Sequence, residues 1–453
     1  MTNKRKVMSG LFFLVIVATG AVYWLSCAAK PYKGYTLYTP LRSKETYLID
    51  NEGKVVHQWV SRANPGLSVY LLENGHLLRA SKIKEIPAAF VMGGVGGRVE
   101  ELDWDGRVVW EFDYANADHW LHHDIERMPN GNVLMIAWER KTAEEAVSAG
   151  RNPELLSDME LWPDHIIEVR PIGDKGGEIV WEWHLWDHLI QDYDPARDNY
   201  GRVAEHLELV DINYIGSMAS GGAKADWTHT NSIDYHAGLD QILLSVHGFN
   251  EIWIIDHSTT TEEAAGHTGG QSGKGGDLLY RWGNPPAYRT GGPAGQQFFG
   301  QHDAKWIEPG LRGEEHILVY NNGLNREGKG KGFSTVAEIM PPMDVKGNYQ
   351  YIAGESFGPE RPVWEYRHPS PGRFYSAYIS GAQRLPNGNT LICSGYNGLF
   401  FEVTPNGKQV WRYTNPYPFS QVKENKGSFH KNAVFRAERY PLDYAGLIHI
   451  LKH

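Results

Sequence analysis

The 453-residue chain is 41% hydrophobic, 12% aromatic and 22% charged, the balance of a folded globular protein and not of a disordered one. Its formal net charge of -10 argues against nucleic acid as a partner, because such affinity rests on Lys and Arg neutralising phosphates. Two cysteines, Cys27 and Cys393, rule out a disulfide framework, so packing has to supply the stability.

Lys4, Arg5 and Lys6 precede the apolar stretch Val7 to Cys27, which has the length and charge asymmetry of a signal sequence or N-terminal anchor starting in the cytoplasm. The expected organisation is residues 1–30 as cytoplasmic start plus signal-anchor helix and residues 31–453 as the exported part. That part is then held at the inner membrane, in the periplasm or outside the cell. Leu25-Ser26-Cys27 approximates a lipobox and Ser26-Cys27-Ala28 a small-residue cleavage site, so an uncut transmembrane anchor, a lipoprotein and a cleaved leader all stay open.

From there one phrase recurs six times: an apolar strand, a Gly or Asn turn, and a strand ending in Trp. The copies are LIDNEGKVVHQW at Trp59, ELDWDGRVVW at Trp110, IIEVRPIGDKGGEIVW at Trp181, longer ones at Trp282 and Trp364, and FEVTPNGKQVW at Trp411. Between them runs a second hairpin phrase: YLLENGHLLRA, IERMPNGNVLMIA, IDYHAGLDQILLSV, KWIEPGLRGEEHILVY, AQRLPNGNTLICSG and, most divergent, FRAERYPLDYAGLIHIL. Asn-Gly between alternating hydrophobics is a hairpin signal, because both residues accept positive φ. Two hairpins repeated six times predict an all-β fold, a six-bladed β-propeller in which ring closure protects the sheet edges. The long insert HLWDHLIQDYDPARDNYG carries enough large apolar residues to pack onto a propeller face, while GGQSGKGG reads as a flexible excursion and lacks the spacing of a phosphate loop.

Three histidines sit just before the inner phrase of successive blades: His123 in LHHDIERM, His229 in WTHTNSIDY and His302 in GQHDAKWI. Ring symmetry at matching positions directs them toward the channel axis, where a small anion could be held by several donors. FHKNAVFRA repeats the His-x-Asn pattern of His229 and Asn231, which adds His430 from the opposite side of the ring. A neutral imidazole can act there as nucleophile, acid, base or metal ligand.

At WTHTNSIDY followed by ILLSV, at FGQHDAKWI and at VYNNGLNR, the sequence resembles the bacterial arylsulfate sulfotransferase family, over nearly all of the chain from about Pro31. The resemblance implies a six-bladed propeller that transfers sulfate between phenols by a ping-pong route through a sulfohistidine. No cofactor is implied, and phosphoadenosine phosphosulfate is not the donor. It also implies His302 as nucleophile, His123 and His229 as histidines holding the donor sulfate, and Asn231 as a nearby amide; Tyr320 and Asn322 of VYNNGLNR, near the histidine motifs, are expected to bind substrate. The chain departs from the family pattern at His247 in LLSVHGF, where the family has arginine: a guanidinium is always charged and binds two oxygens at once, whereas His247 offers a single donor. Neither the sandwich domain nor the disulfide of the best-known members is expected from the residues of this sequence.

The implied partners are a phenolic sulfate donor, a phenolic acceptor and the membrane, with homo-oligomerisation open. Two other functions fit the residues. A metal-dependent hydrolase or lyase would use His123, His229 and His302, with His247 or His430, as ligands for zinc, copper or iron. A non-catalytic binding propeller would use a face instead of the channel.

Overall fold

Each Trp-terminated phrase builds the outer part of a four-stranded antiparallel sheet, and six such sheets form the propeller. The computed structural model describes residues 30–85, 90, 92–156, 158–216, 225–326, 332–344, 346–352, 354–418 and 430–451, and Pro31–His453 form one unit. The expected anchor, Val7 to Cys27, lies outside the described residues. Among those described, no helix is long and apolar enough to cross a membrane.

Blade 2 is the simplest, running from its innermost strand Pro65–Leu71 through Leu77–Lys82 and Gly97–Leu102 to Val108–Asp113 at the rim. Blades 3, 4, 5 and 6 begin with the innermost strands His119–Arg127, Thr230–His236, His302–Trp306 and Gly381–Arg384. Blade 1 closes the ring by pairing the C-terminal Val434–Pro441 with the N-terminal Gly34–Pro40. This corrects one expectation: in FRAERYPLDYAGLIHIL only the first half is a strand, because its hairpin partner comes from the start of the chain. The second half supplies the helix Ala445–Ile448, whose Leu447 is buried against Leu71 and Leu77.

The repeated Trp has a second role beyond burial. A buried indole N–H needs an acceptor, and every one of the six finds it on the next blade. Trp59 donates to Asp103 O (3.1 Å), Trp110 to Gly176 O (2.9 Å) and Trp181 to Thr259 Oγ1 (3.1 Å). Trp282 donates to Pro359 O (2.7 Å) and Trp364 to Pro405 O (2.8 Å), and Trp411 completes the circle on Asn51 O (2.6 Å). Each Trp therefore bolts two blades together, and truncating the buried Trp59 to Ala should cost about 3–5 kcal/mol.

The inserts settle on this frame. Leu185, Leu189, Val203, Leu207 and Val210 of the His184-to-Ala225 insert join the large core under blades 3 and 4. The glycine-rich stretch expected to be flexible is instead pinned: Gln271 N donates to Ser258 Oγ (2.7 Å) and Ser272 N to Asp256 Oδ2 (2.8 Å).

Candidate active site

The innermost strands enter the channel through irregular turns. His123 (φ 53°), His229 (φ 51°), Asp303 (φ 55°) and Ile379 (φ 50°) all adopt left-handed backbone, and for β-branched Ile379 this is a genuine steric outlier. Strain of that kind persists only where the surroundings over-determine it, and here four blades place it at one end of the channel.

Hydrogen bonds between neighbouring inner strands set the true register. Asp124 accepts from Ile233 N (3.3 Å), Ser232 from Ala304 N (2.9 Å) and Asp303 from Ala382 N (2.9 Å), so these three residues occupy one position in blades 3, 4 and 5. His123 and His302 precede that position by one, but in blade 4 Asn231 does so. His229 enters two residues earlier, ahead of the register shift between Thr230 and Ser232. The matched recurrence expected for three histidines thus holds for two, and a bulge brings the third in from the side.

Side chains nonetheless converge. Ring centroids lie 4.5 Å apart for His123 and His229, 5.4 Å for His229 and His247, and 5.2 Å for His247 and His302, with every ring buried. Glycines make the room: a Cβ on Gly94 (φ +86°) would sit 2.0 Å from the His123 ring, and one on Gly300 3.1 Å from His247 Nε2.

Partners behind the rings determine where the protons sit. Asn322 donates both amide hydrogens to carbonyls, Ser376 O at 2.8 Å and Ile379 O at 2.9 Å, so its Oδ1 must face His302 Nδ1 at 2.9 Å. Nδ1 therefore carries the proton, as its contact with Gly300 O (3.1 Å) also requires, and Nε2 holds a lone pair that accepts from Ile379 N (3.2 Å). Likewise His229 Nδ1–H donates to Asp226 (2.5 Å), itself held by Trp138 Nε1 (3.0 Å). His122 donates Nε2–H to Asp164 (3.0 Å), so its Nδ1 accepts from His123 Nδ1–H (2.8 Å). His122, assigned no role from sequence, is the link that orients His123.

Burial, and then repulsion from His229, His122, His302 and His247, holds His123 well below its ordinary pKa. Burial and the rings of His302 and His229 do the same to His247, which keeps it neutral and removes the charge an arginine would have supplied. His302 is pulled down to about 4 by burial, against the support of Asn322 and with help from His229 and Arg436. All three are therefore neutral near pH 7, the form a nitrogen nucleophile requires.

Arg436 is the residue that sequence reading missed. It projects from the last inner strand, ion-paired to Asp124 (3.0 Å) and Asp303 (2.8 Å) and donating to Tyr70 Oη (2.6 Å). FRAER aligns with the inner phrases that carry Asp124 and Asp303, which was the available signal. Beyond it, a cavity of about 880 Å³ opens among the inner hairpin turns, at the end of the channel away from the histidines.

The remaining expected residues separate. Asn231 donates to Gln301 O (2.8 Å), and its buried Oδ1 has no partner among the described residues. Asn322 holds His302, with both amide hydrogens on carbonyls. Tyr320, expected beside the substrate, is fully buried between Phe374, Val336 and Leu318, on the core face of its strand. His430 is exposed and accepts from Asn432 N, because Ala433 and Val434 behind it take the buried positions. Among the described residues the channel histidines do not form a group with three ligand atoms within 4.8 Å of one another, whereas two other clusters do.

Residues 28–432 match the profile of the arylsulfotransferase (ASST) family. The chain is 24% identical over 383 residues to the arylsulfate sulfotransferase AssT of Escherichia coli O6:H1, and 25% identical over 392 residues to that of Lelliottia amnigena. Both alignments cover 79% of this chain and 58% of the relative, so the chain spans little more than half the length of these proteins. A solved protein of unknown function from Bacteroides caccae matches 89% of this chain and 98% of its own at 12% identity, with a TM-score of 0.45.

Proposed function

The chain belongs to the arylsulfotransferase family, and from that premise we propose that it moves a sulfuryl group from a phenolic sulfate ester to a phenolic acceptor through a sulfohistidine on His302. One observation carries the reading: Asn322 locks the proton on His302 Nδ1, which leaves Nε2 neutral with a lone pair, met by Ile379 N at 3.2 Å, among three further buried imidazoles.

In the first half-reaction the Nε2 lone pair attacks sulfur. The bond from sulfur to the aryl oxygen breaks, and the phenolate leaves with its electron pair. In the second, the hydroxyl oxygen of another phenol attacks sulfur, the S–N bond breaks, and the phenolic proton passes to a neighbouring imidazole. The leaving group is the donor's phenolate in the first half-reaction and His302 Nε2 in the second, and the donor is an aryl sulfate, not phosphoadenosine phosphosulfate. Bare imidazole nitrogens are poor hosts for an anion, and donor binding on this reading brings protons to His123 and His229. Asp226, and Asp164 acting through His122, balance the charge. Asn231 supplies an amide beside them. The apolar stretch Val7 to Cys27 would tether the propeller outside the inner membrane, which retention in the membrane pellet after an alkaline wash would test.

The test is release of phenol from a chromogenic aryl sulfate. Release should require a phenolic acceptor and vanish in His302→Ala; release that persists undiminished in that variant overturns the proposal.

A further inference from the structure

A second constellation of ligating side chains lies on blade 3, on strands that also frame the histidine site. Glu139 ends the strand Val133–Glu139, His165 is the second residue of Asp164–Pro171, and His184 ends Gly177–His184. The last two are cross-strand partners, with parallel rings 4.9 Å apart. Each of the three offers one ligand atom, and these atoms all lie within 4.8 Å of one another.

Their hydrogen bonding is incomplete in a particular way. His165 is 1% exposed; its Nε2 meets Tyr114 Oη at 3.1 Å, and its buried Nδ1 has no partner among the described residues. Glu139 Oε1 is likewise buried without a partner, while Oε2 lies 3.2 Å from His184 Nδ1. His184 Nε2 faces Glu182 at 3.4 Å. Buried acceptors left without a donor are uncommon in native proteins and call for a cause. The other such cluster, His188, His267 and Asp277, shows no such gap at its buried histidine, since His188 uses one nitrogen on Asp277 and the other on Ala264 O.

We propose that Glu139, His165 and His184 bind a divalent cation of borderline softness, of which zinc is the natural probe. Two imidazole nitrogens and a carboxylate oxygen suit such an ion. The outward nitrogens already carry the supports that ligating histidines use: the Tyr114 hydroxyl on His165 and the Glu182 carboxylate on His184, leaving Nδ1 of each ring for the metal. Glu139 and His184 are partly exposed, which gives the ion a route in and a solvent molecule a place in its coordination. Bound there, the ion pins the ends of three strands beside Asp164, the neighbour of His165 that orients His122 and through it His123. The proposal does not depend on sulfate transfer.

The whole protein, stripped with chelator, is titrated with Zn2+ by calorimetry and followed by thermal melting, and Co2+ is used as a spectroscopic substitute. Wild type should take up zinc with a rise in melting temperature and give visible Co2+ d–d absorption. If loss of a supporting partner alone weakens a site roughly 10- to 100-fold, loss of a ligand should weaken it at least as much. Glu139→Gln, nearly isosteric, and His184→Gln should show that loss, while His267→Gln keeps the binding. No zinc uptake by wild type, unchanged uptake in both blade 3 variants, or a loss confined to His267→Gln overturns the proposal.

Discussion

Replacing Asn322 by Leu keeps the branched skeleton of the side chain and removes its chemistry. Three contacts go: the acceptor for His302 Nδ1–H at 2.9 Å and the donors to Ser376 O and Ile379 O at 2.8 and 2.9 Å. Stranding buried carbonyls costs about 1–3 kcal/mol each, and Ser334 Oγ still reaches Ser376 O at 3.5 Å, so we expect a stability loss of about 2–4 kcal/mol. His302 keeps Gly300 O at 3.1 Å but loses the shorter of the two acceptors that hold its Nδ1 proton, a preference of about 1.4 kcal/mol and hence a roughly tenfold fall in kcat. KM for the aryl sulfate should change little. The same hydrogen bond supports the charged form of His302 against burial, so without it the group titrates below its present value of about 4. Rates of acceptor-dependent phenol release across pH, set beside thermal melts, distinguish positioning from mere structure: the acid limb of kcat/KM moves to lower pH. An unchanged kcat, or a limb that moves up toward 6.5, refutes the reasoning.

Three further changes probe other links. Gly94→Ala puts a methyl group into the His123 ring at a left-handed position; transfer activity should drop at least tenfold while the melting temperature shifts only modestly, as kinetics and calorimetry would show. Asp226→Asn removes the carboxylate that fixes the His229 tautomer, and kcat should fall by roughly 10²- to 10⁴-fold with the fold intact by circular dichroism. His257 bridges blade 3 and blade 4; burial opposes its charge, but Asp240 (2.7 Å) and Glu168 (3.0 Å) raise it from 6.5 to about 9. That pair contributes about 3 kcal/mol, fully present below pH 6.5 and lost as pH rises through about 9, so denaturant melts of wild type and His257→Gln should differ at pH 6 and converge at pH 10.

What could be read along the chain was whatever one residue settles by itself. A Trp in each outer phrase demands both burial and an acceptor, so six copies meant six blades; Gly131, Gly388 and Gly407, at φ 88°, 82° and 76°, marked hairpins wherever Pro-Asn-Gly appeared. His123, His229 and His302 could be listed because each stands just before an inner phrase, and His247 because the family the sequence resembles has arginine there. Their roles could not, because the partners that set each tautomer come from elsewhere: Asp164 lies 42 residues from His122, and Asn322 lies 20 from His302 across a hairpin. Arg436 was hidden for the same reason, being tied to Asp124 and Asp303 only once the ring closes. His430 matched a pattern but not a register, since burial of Ala433 and Val434 turns it outward. Tyr320 was misread because side chains alternate across the sheet, and its ring falls on the face shared by blades 5 and 6.

The most direct test of the account is to trap the intermediate. Wild-type protein mixed with an aryl sulfate and no acceptor, then quenched in alkali and digested, should release one phenol per molecule in a burst and yield the peptide containing His302 heavier by one sulfuryl group. A burst without that label, or a label that persists on another residue when His302 is replaced by Ala, contradicts it.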